Sequence, residues 1–351
     1  MADLTVQRML IKALLSSPAP MLRRMGGGGA VTLGGRTLDP RIQLLARLAS
    51  QFPPIDSLGV EAARKSTADA AVLLGDRRGR GVRIENLSIE GPRGPIGLRA
   101  YRPAKQNPAA PLLVFAHGGG GVLGDLDIDD GLCRILARGA RGAVFSIDYR
   151  LAPEHPFPAG LEDVLAAWRW ARENTTRFGA PAGRLAIGGD SMGANLAAVV
   201  AQELKRQGEP QPVLQLLIYP AVDMVCDLPS MTTYADAYPL NRRAMDYFLR
   251  QYLAAGADPT DPRCSPGRSA DLSGLAPALI ATAGFDPLVD QGEAYARKLT
   301  AAGVSTTHRR YDTLPHGFAT FAGMVPAAAA ACREIAALVR TAFEGPPSGG
   351  L

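Results

Sequence analysis

"AIGGDSMGANLAAVVAQEL" runs from Ala186 to Leu204. Its apolar start has strand character, and its end has the spacing of a helix. Between them the chain turns through Gly188-Gly189-Asp190-Ser191-Met192-Gly193. A lone serine stands at the point of that turn. Two readings compete: a tight strand-to-helix connection that happens to hold a serine, or an activated nucleophile. A hydroxyl attacks only when a base removes its proton. It also needs exposure, which a Gly-x-Ser-x-Gly elbow supplies by letting helix and strand crowd around a strained serine. Gly189 and Gly193 flank Ser191 at that spacing.

A second motif favours the nucleophile. "LLVFAHGGGGVLGD" places His117-Gly118-Gly119-Gly120 at the carboxyl end of an apolar strand, about 70 residues before the serine. Glycines lack a Cβ, so their amides can approach a ligand closely. Two such amides, with the amide after the nucleophile, can stabilise the oxyanion of a tetrahedral intermediate.

The surrounding pattern supplies the scaffold. Short apolar strands are expected at Leu112–His117, Ala143–Asp148, Arg184–Gly189, Leu214–Tyr219, Ala278–Ala283 and Thr306–Tyr311. Helical patterns at 130–140, 159–178, 192–207, 291–302 and 326–343 alternate with them. Continuous apolar strands alternating with helices indicate a parallel sheet covered on both faces. Before them, "VRIENLSIEG" and "GPIGLRAYRP" read as an antiparallel hairpin.

The base must come from four histidines. His117 shapes the glycine loop, His155 falls early, in "LAPEHPFPA", and His308 alternates within a strand. Active sites of open α/β sheets gather at the carboxyl ends of strands, and with an elbow of this kind the order is serine, acid, histidine. His316, after the last strand, meets both conditions. The acid is then sought between 191 and 316. Asp286 lies just past the strand 278–283 and is the first choice. Asp290, placed to cap the next helix, is a reserve candidate or a supporting residue.

Composition bounds the partners. The chain has 351 residues, 47% hydrophobic and 20% charged, with a net charge of +5. The densest basic patch is Arg77, Arg78, Arg80 and Arg83 in "GDRRGRGVRIE". It reads as a solvated loop, and without a basic face or a known module no nucleic acid is expected. Cys133, Cys226, Cys264 and Cys332 form no CxxC pair, so neither zinc nor a disulfide framework is expected, and the setting is read as cytoplasmic. No run approaches the ~20 apolar residues of a membrane span. The first residues read instead as an amphipathic helix.

The ends of the pattern suggest a cap. Residues 4–25 and 38–51 read as helices joined by a flexible glycine link at 26–35, and 221–276 interrupts the strand–helix rhythm around a helix at 241–255. The apolar stripes of the two N-terminal helices need a partner, and Met245, Phe248, Leu249 and Tyr252 offer one. The expected units are therefore N-terminal cap helices (1–51), a core (52–220), a cap insertion (221–258) and the rest of the core (259–351).

Five ordered motifs, "HGGG" (117–120), "DYRLAPEHPFPA" (148–159), "GDSMGAN" (189–195), "DPLVD" (286–290) and "HGF" (316–318), closely resemble the hormone-sensitive lipase family of esterases, bacterial family IV. The resemblance covers roughly residues 80–345. It implies an α/β-hydrolase fold, with a mostly parallel sheet flanked by helices and a helical cap. It implies a serine carboxylesterase acting on small-molecule esters of short acyl chains, with no cofactor or metal, and leaves a homodimer open. Carried onto this chain, it makes Ser191 nucleophile, His316 base and Asp286 acid, with oxyanion amides from Gly118, Gly119 and Met192. "TYADAYPLN" (233–241) resembles a cap stretch facing the acyl pocket, which nominates Tyr238 and Leu240 as substrate contacts. The family usually reads GDSAGGN, so Met192 and Ala194 are departures. An amidase or lactonase would use the same triad, a true lipase would need a large acyl channel, and a binding protein on this scaffold typically loses a triad member.

Overall fold

The computed structural model describes residues 2–76, 81–254 and 256–344. Arg77, Arg78 and Arg80 of the basic patch, and Ala255 at the end of the expected cap helix, lie outside them. The chain begins with α1 (Ala2–Leu15), α2 (Ala19–Met25), a hairpin of β1 (Thr32–Leu33) and β2 (Arg36–Thr37), α3 (Pro40–Ala49) and α4 (Val60–Leu74). The single helix expected over 4–25 is broken at Ser16-Ser17-Pro18, because proline lacks an amide proton and disfavours helical backbone before it.

The central sheet has eight strands in the order β10-β9-β8-β7-β5-β6-β4-β3. β3 (Val82–Gly91) and β4 (Gly94–Pro103) form the expected antiparallel hairpin, and β4 joins β6 (Val144–Asp148) antiparallel. β5 (Leu112–Ala116), β6, β7 (Leu185–Asp190), β8 (Gln215–Ile218), β9 (Ala278–Phe285) and β10 (Thr306–Pro315) run parallel. Every residue of β5, β7, β8 and β9 is buried, which explains their unbroken apolar runs. Leu112 and Val114 pack under α6 (Ala159–Asn174) and α7 (Met192–Arg206). Leu113 and Phe115 point the other way, toward α5 (Asp130–Ala140) and α11 (Pro326–Glu344). Gly189 pairs with Ala116 on one side and Leu217 on the other. That register sets the serine elbow beside the start of the glycine loop.

Between β8 and β9 the interruption holds α8 (Ser230–Thr233) and α9 (Arg242–Tyr252), and α10 (Val289–Ala301) follows β9. The expected pairing of α9 with the N-terminal helices is not what forms. α9 buries Tyr247 and Tyr252 with the α6–α7 side of the core. It meets the turn at Ile55–Ser57, where Arg243 pairs with Asp56 at 2.7 Å. Leu15, Leu22, Ile42, Leu44 and Leu45 instead join the α5–α11 side. α1 lies along α4, with Arg8 donating to the carbonyls of Val72 (3.0 Å) and Gly75 (2.8 Å) at the helix end. The link at 26–35 is not wholly flexible. Gly34 and Gly35 take φ of 56° and 75° in the β1–β2 turn, and Arg36 reaches the Tyr234 hydroxyl (2.9 Å) and the Gly284 carbonyl (3.0 Å).

Candidate active site

Ser191 joins β7 to α7 with φ 52° and ψ −117°, a backbone conformation unfavourable for an L-residue. Its amide donates to the Ile218 carbonyl at 2.8 Å. The flanking glycines are steric necessities. A Cβ on Gly189 would overlap the Gly193 carbonyl group, and a Cβ on Gly193 would overlap the Ala116 carbonyl oxygen.

Three residues far apart in sequence converge here. The Ser191 hydroxyl and His316 Nε2 are 2.8 Å apart, and His316 Nδ1 lies 2.8 Å from Asp286 Oδ2. Asp286 is fully buried, and its Oδ1 accepts from the Leu288 amide at 2.8 Å. With Asp286 ionised, Nδ1 carries the imidazole proton and Nε2 is free to accept the serine proton. His155 is exposed, and His308 is bonded to Thr282 (2.9 Å) in the edge strand β10, so neither belongs to this cluster. Asp290 does not reach His316. It accepts from the Ser230 amide (2.8 Å), while the Ser230 hydroxyl donates to the Pro287 carbonyl (2.6 Å). Asp290 therefore ties the cap insertion to the loop that carries Asp286.

Two further anchors were given no role by the sequence reading, although Asn195 closes the GDSMGAN motif. Asn195 donates to the carbonyls of Ala221 (2.6 Å) and Cys264 (2.7 Å), clasping both ends of the cap insertion to α7. Gln291 accepts from the amides of Val222 (2.7 Å) and Asp223 (2.9 Å). The "DYRLAPEHPFPA" motif is scaffolding of the same kind. Tyr149 stacks on His117 at 4.4 Å and donates to its carbonyl at 2.8 Å, while Arg150 forks onto the buried Asp163. Burial holds the His117 imidazole below its ordinary pKa.

Beneath the glycine loop lies a pair of carboxyls, Asp129 and Asp190, 3% and 4% exposed. Asp129 Oδ2 and Asp190 Oδ1 have no donor while both groups are ionised. Two acceptor-only carboxylates this close can be satisfied only if a proton is held between them. Burial first, then their mutual repulsion, pushes Asp190 well above the usual carboxylate range, and burial raises Asp129 too. The Gly118 backbone lies against this pair: a Cβ on Gly118 would lie 2.6 Å from Asp190 Oδ2. The amides of Gly119, Gly120 and Met192 make no hydrogen bond among the described residues. Gly118, expected to supply an oxyanion amide, lines the site cavity as well, with its backbone against the buried carboxyls.

Ser191, His316, Gly118, Gly119, Gly120 and Met192 line one cavity of roughly 1750 Å³. Tyr238 and Leu240 line it too, as do α9, α4 and the inward side of α1. The cap insertion and the N-terminal segment therefore share the cavity, and they meet at Tyr234 and not along α9. Met192 is 2% exposed, so its extra bulk fills core as well as cavity wall.

A strained serine at a strand-to-helix elbow, hydrogen-bonded to a histidine that a buried aspartate holds in turn, at the carboxyl ends of a parallel sheet, defines a hydrolase of α/β architecture. The chain matches the family described by the alpha/beta hydrolase fold over residues 113–320, and it belongs to that family, in the hormone-sensitive lipase branch its motifs resemble. It is 44% identical over 345 residues to the carboxylic ester hydrolase LipN of Mycobacterium tuberculosis, covering 96% of this chain and 91% of that one. An ethyl acetate hydrolase of Pseudomonas putida is 39% identical over 78% of this chain and 87% of its own. Among solved structures, the ester-hydrolase EH1AB1 from the metagenome of Lake Arreo superposes with a TM-score of 0.83 at 39% identity, covering 88% of this chain and 99% of that one.

Proposed function

We propose that this protein is a serine carboxylesterase that cleaves small esters in two acyl-transfer steps. The observation that carries the reading is the hydrogen-bonded chain Ser191–His316–Asp286, with 2.8 Å at each link. In the first step His316 Nε2 takes the Ser191 proton as Oγ attacks the ester carbonyl, and Asp286 stabilises the imidazolium. The imidazolium then protonates the leaving alcohol. Water attacks the acyl-enzyme by the same proton transfers and releases the acid. The oxyanion role falls to the amides of Gly118, Gly119 and Met192, with Gly120 beside them on the cavity wall.

The named relatives support esters over amides and lactones. The family resemblance favours acyl groups of about two to eight carbons. The cavity supports a second reading with longer chains, because roughly 1750 Å³ exceeds the ~300–1,000 Å³ of common small-ligand sites. A cytoplasmic setting is part of the proposal, supported by four buried, free cysteines.

Labelling with a fluorophosphonate tests the nucleophile: Ser191→Ala should abolish it, and label retained on another serine would overturn the assignment. His316→Ala and Asp286→Asn should each cut kcat by orders of magnitude, the acid less than the base, at roughly 10⁴-fold for Asp286→Asn. A series of p-nitrophenyl esters from two to sixteen carbons separates the two substrate readings by where kcat/KM peaks. Matched amide and lactone substrates test the remaining alternatives.

A further inference from the structure

α1 is apolar on both sides. Its inward residues Leu4 and Ile11 line the catalytic cavity, whereas Val6, Met9 and Leu10 face solvent at 50%, 60% and 65% exposure. The spacing of those three sets them on one face of the helix. Leu48 and Phe52 line the cavity and are 37% and 72% exposed, so they stand on its rim. Met21, on α2, is 53% exposed. Large apolar side chains in the core of a water-facing enzyme need no explanation. A contiguous set on the outer face of a helix at a site entrance does.

Charge indicates what covers this face. Residues 1–51 hold seven basic and two acidic side chains, Asp3 and Asp39, which accounts for the whole net charge of +5. Asp39 is occupied as the cap of α3. Lys12, Arg24 and Arg47 are exposed and form no ion pair among the described residues. A surface helix with exposed Met and Leu, flanked by unpaired cations, is built to lie in a lipid–water boundary whose headgroups are anionic. No helix of the described residues is long and apolar enough to cross a membrane, so the helix lies on the surface rather than spanning it.

We propose that the N-terminal helices dock this enzyme onto an anionic phospholipid surface through Val6, Met9, Leu10 and Met21, with Lys12, Arg24 and Arg47 on the headgroups. Docked in this way, the cavity entrance at Leu48 and Phe52 is set close to the bilayer, and esters dissolved in lipid enter without crossing bulk water. Docking itself does not depend on the assignment of Ser191, because it is read without turnover.

The test is flotation of the full chain with phosphatidylglycerol vesicles and with phosphatidylcholine vesicles, at low and high salt. The expected result is flotation with phosphatidylglycerol, reduced at least tenfold by 0.5 M salt or by phosphatidylcholine alone. Met9→Ser with Leu10→Ser should reduce it at least tenfold as well, while hydrolysis of a water-soluble ester is kept, since neither residue lines the cavity. Lys12→Glu with Arg24→Glu, which leaves the apolar face intact, should have the same effect on flotation. No flotation of the wild-type chain with phosphatidylglycerol would overturn the proposal, as would variants that float as well as wild type. A homodimer in sedimentation that Met9→Ser with Leu10→Ser dissociates would also overturn it, since a second copy would then cover the face.

Discussion

Ser191 is held at φ 52°, and such strain costs about 1–3 kcal/mol, maintained by the surrounding structure. Glycine tolerates positive φ, so Ser191→Gly should be inactive yet more stable, by about 1 kcal/mol or ~2–4 °C in Tm. A Tm equal to or below wild type in a melting experiment would argue that the elbow is not strained. The carboxyl pair behaves differently, because its effect depends on pH. The folded protein keeps a proton on Asp129–Asp190 above the pH at which unfolded carboxyls, near pKa ~4, have released theirs. The native state binds more protons in that range, so this pair makes stability fall as pH rises above ~4. Asp129→Asn supplies a permanent donor to Asp190 in place of the shared proton. Its Tm should therefore decline less than wild type from pH 5 upward, with activity on soluble esters retained. Parallel Tm-against-pH curves for the two proteins would show that no proton is shared. His316 was legible from its place after the last strand together with the serine–acid–histidine order. The Asp129 partner was not, since an aspartate in "GDLDIDD" looks like surface until the fold buries it.

At the level of elements, the parallel strands were legible because full burial of β5, β7, β8 and β9 leaves unbroken apolar runs. α4 escaped because it buries little: only Ala63 and Leu74 are fully enclosed, and the rest of its inner side faces the cavity. Its signal was present in the alanine-rich "VEAARKSTADAAVLL", a strong helix former without a marked apolar stripe. The β1–β2 hairpin was missed because its glycines read as a linker, although Gly34-Gly35 between paired residues is itself turn chemistry. Glycines at closer range are less forgiving. At Gly193 the obstacle to a Cβ is the backbone of β5, which cannot rotate away. Gly193→Ala should thus cost about 3 kcal/mol or more, at the upper end of overpacking penalties. At Gly120 the obstacle is the Phe248 ring at 2.5 Å. Gly120→Ala should shift α9 instead of unfolding the sheet, raising KM before lowering Tm. Urea melts and KM measured on the two variants would separate a backbone clash from a cap displacement, and equal losses of stability would contradict it.

Taken as a whole, the molecule surrounds one cavity with parts that are anchored separately, and truncation should reveal this. From the sequence, residues 1–51 look like a removable cap over a self-sufficient core. The packing divides them. α1 contributes one fully enclosed side chain, Leu15, and otherwise walls the cavity. The segment from α2 to α3 buries Leu22, Leu38, Ile42, Leu44 and Leu45 beside Tyr234, Phe321 and Met324. It is pinned by Arg36 to Tyr234 and by the Asp39 amide to the Thr313 carbonyl at 2.9 Å. Removing residues 1–16 should therefore leave a folded protein whose Tm falls by a few degrees, about the loss of one buried leucine. Its KM should rise severalfold, because Leu4, Gln7 and Ile11 no longer close the cavity. Removing residues 1–51 strips cover from the core face on which α11 also packs, so the product should aggregate or melt more than ~10 °C below wild type. Expression of the two truncations, with melting curves and kinetics on one soluble ester, decides between these outcomes. A 1–51 truncation that stays soluble, melts like wild type and changes only in KM would mean that these helices are a cap alone and not part of the core.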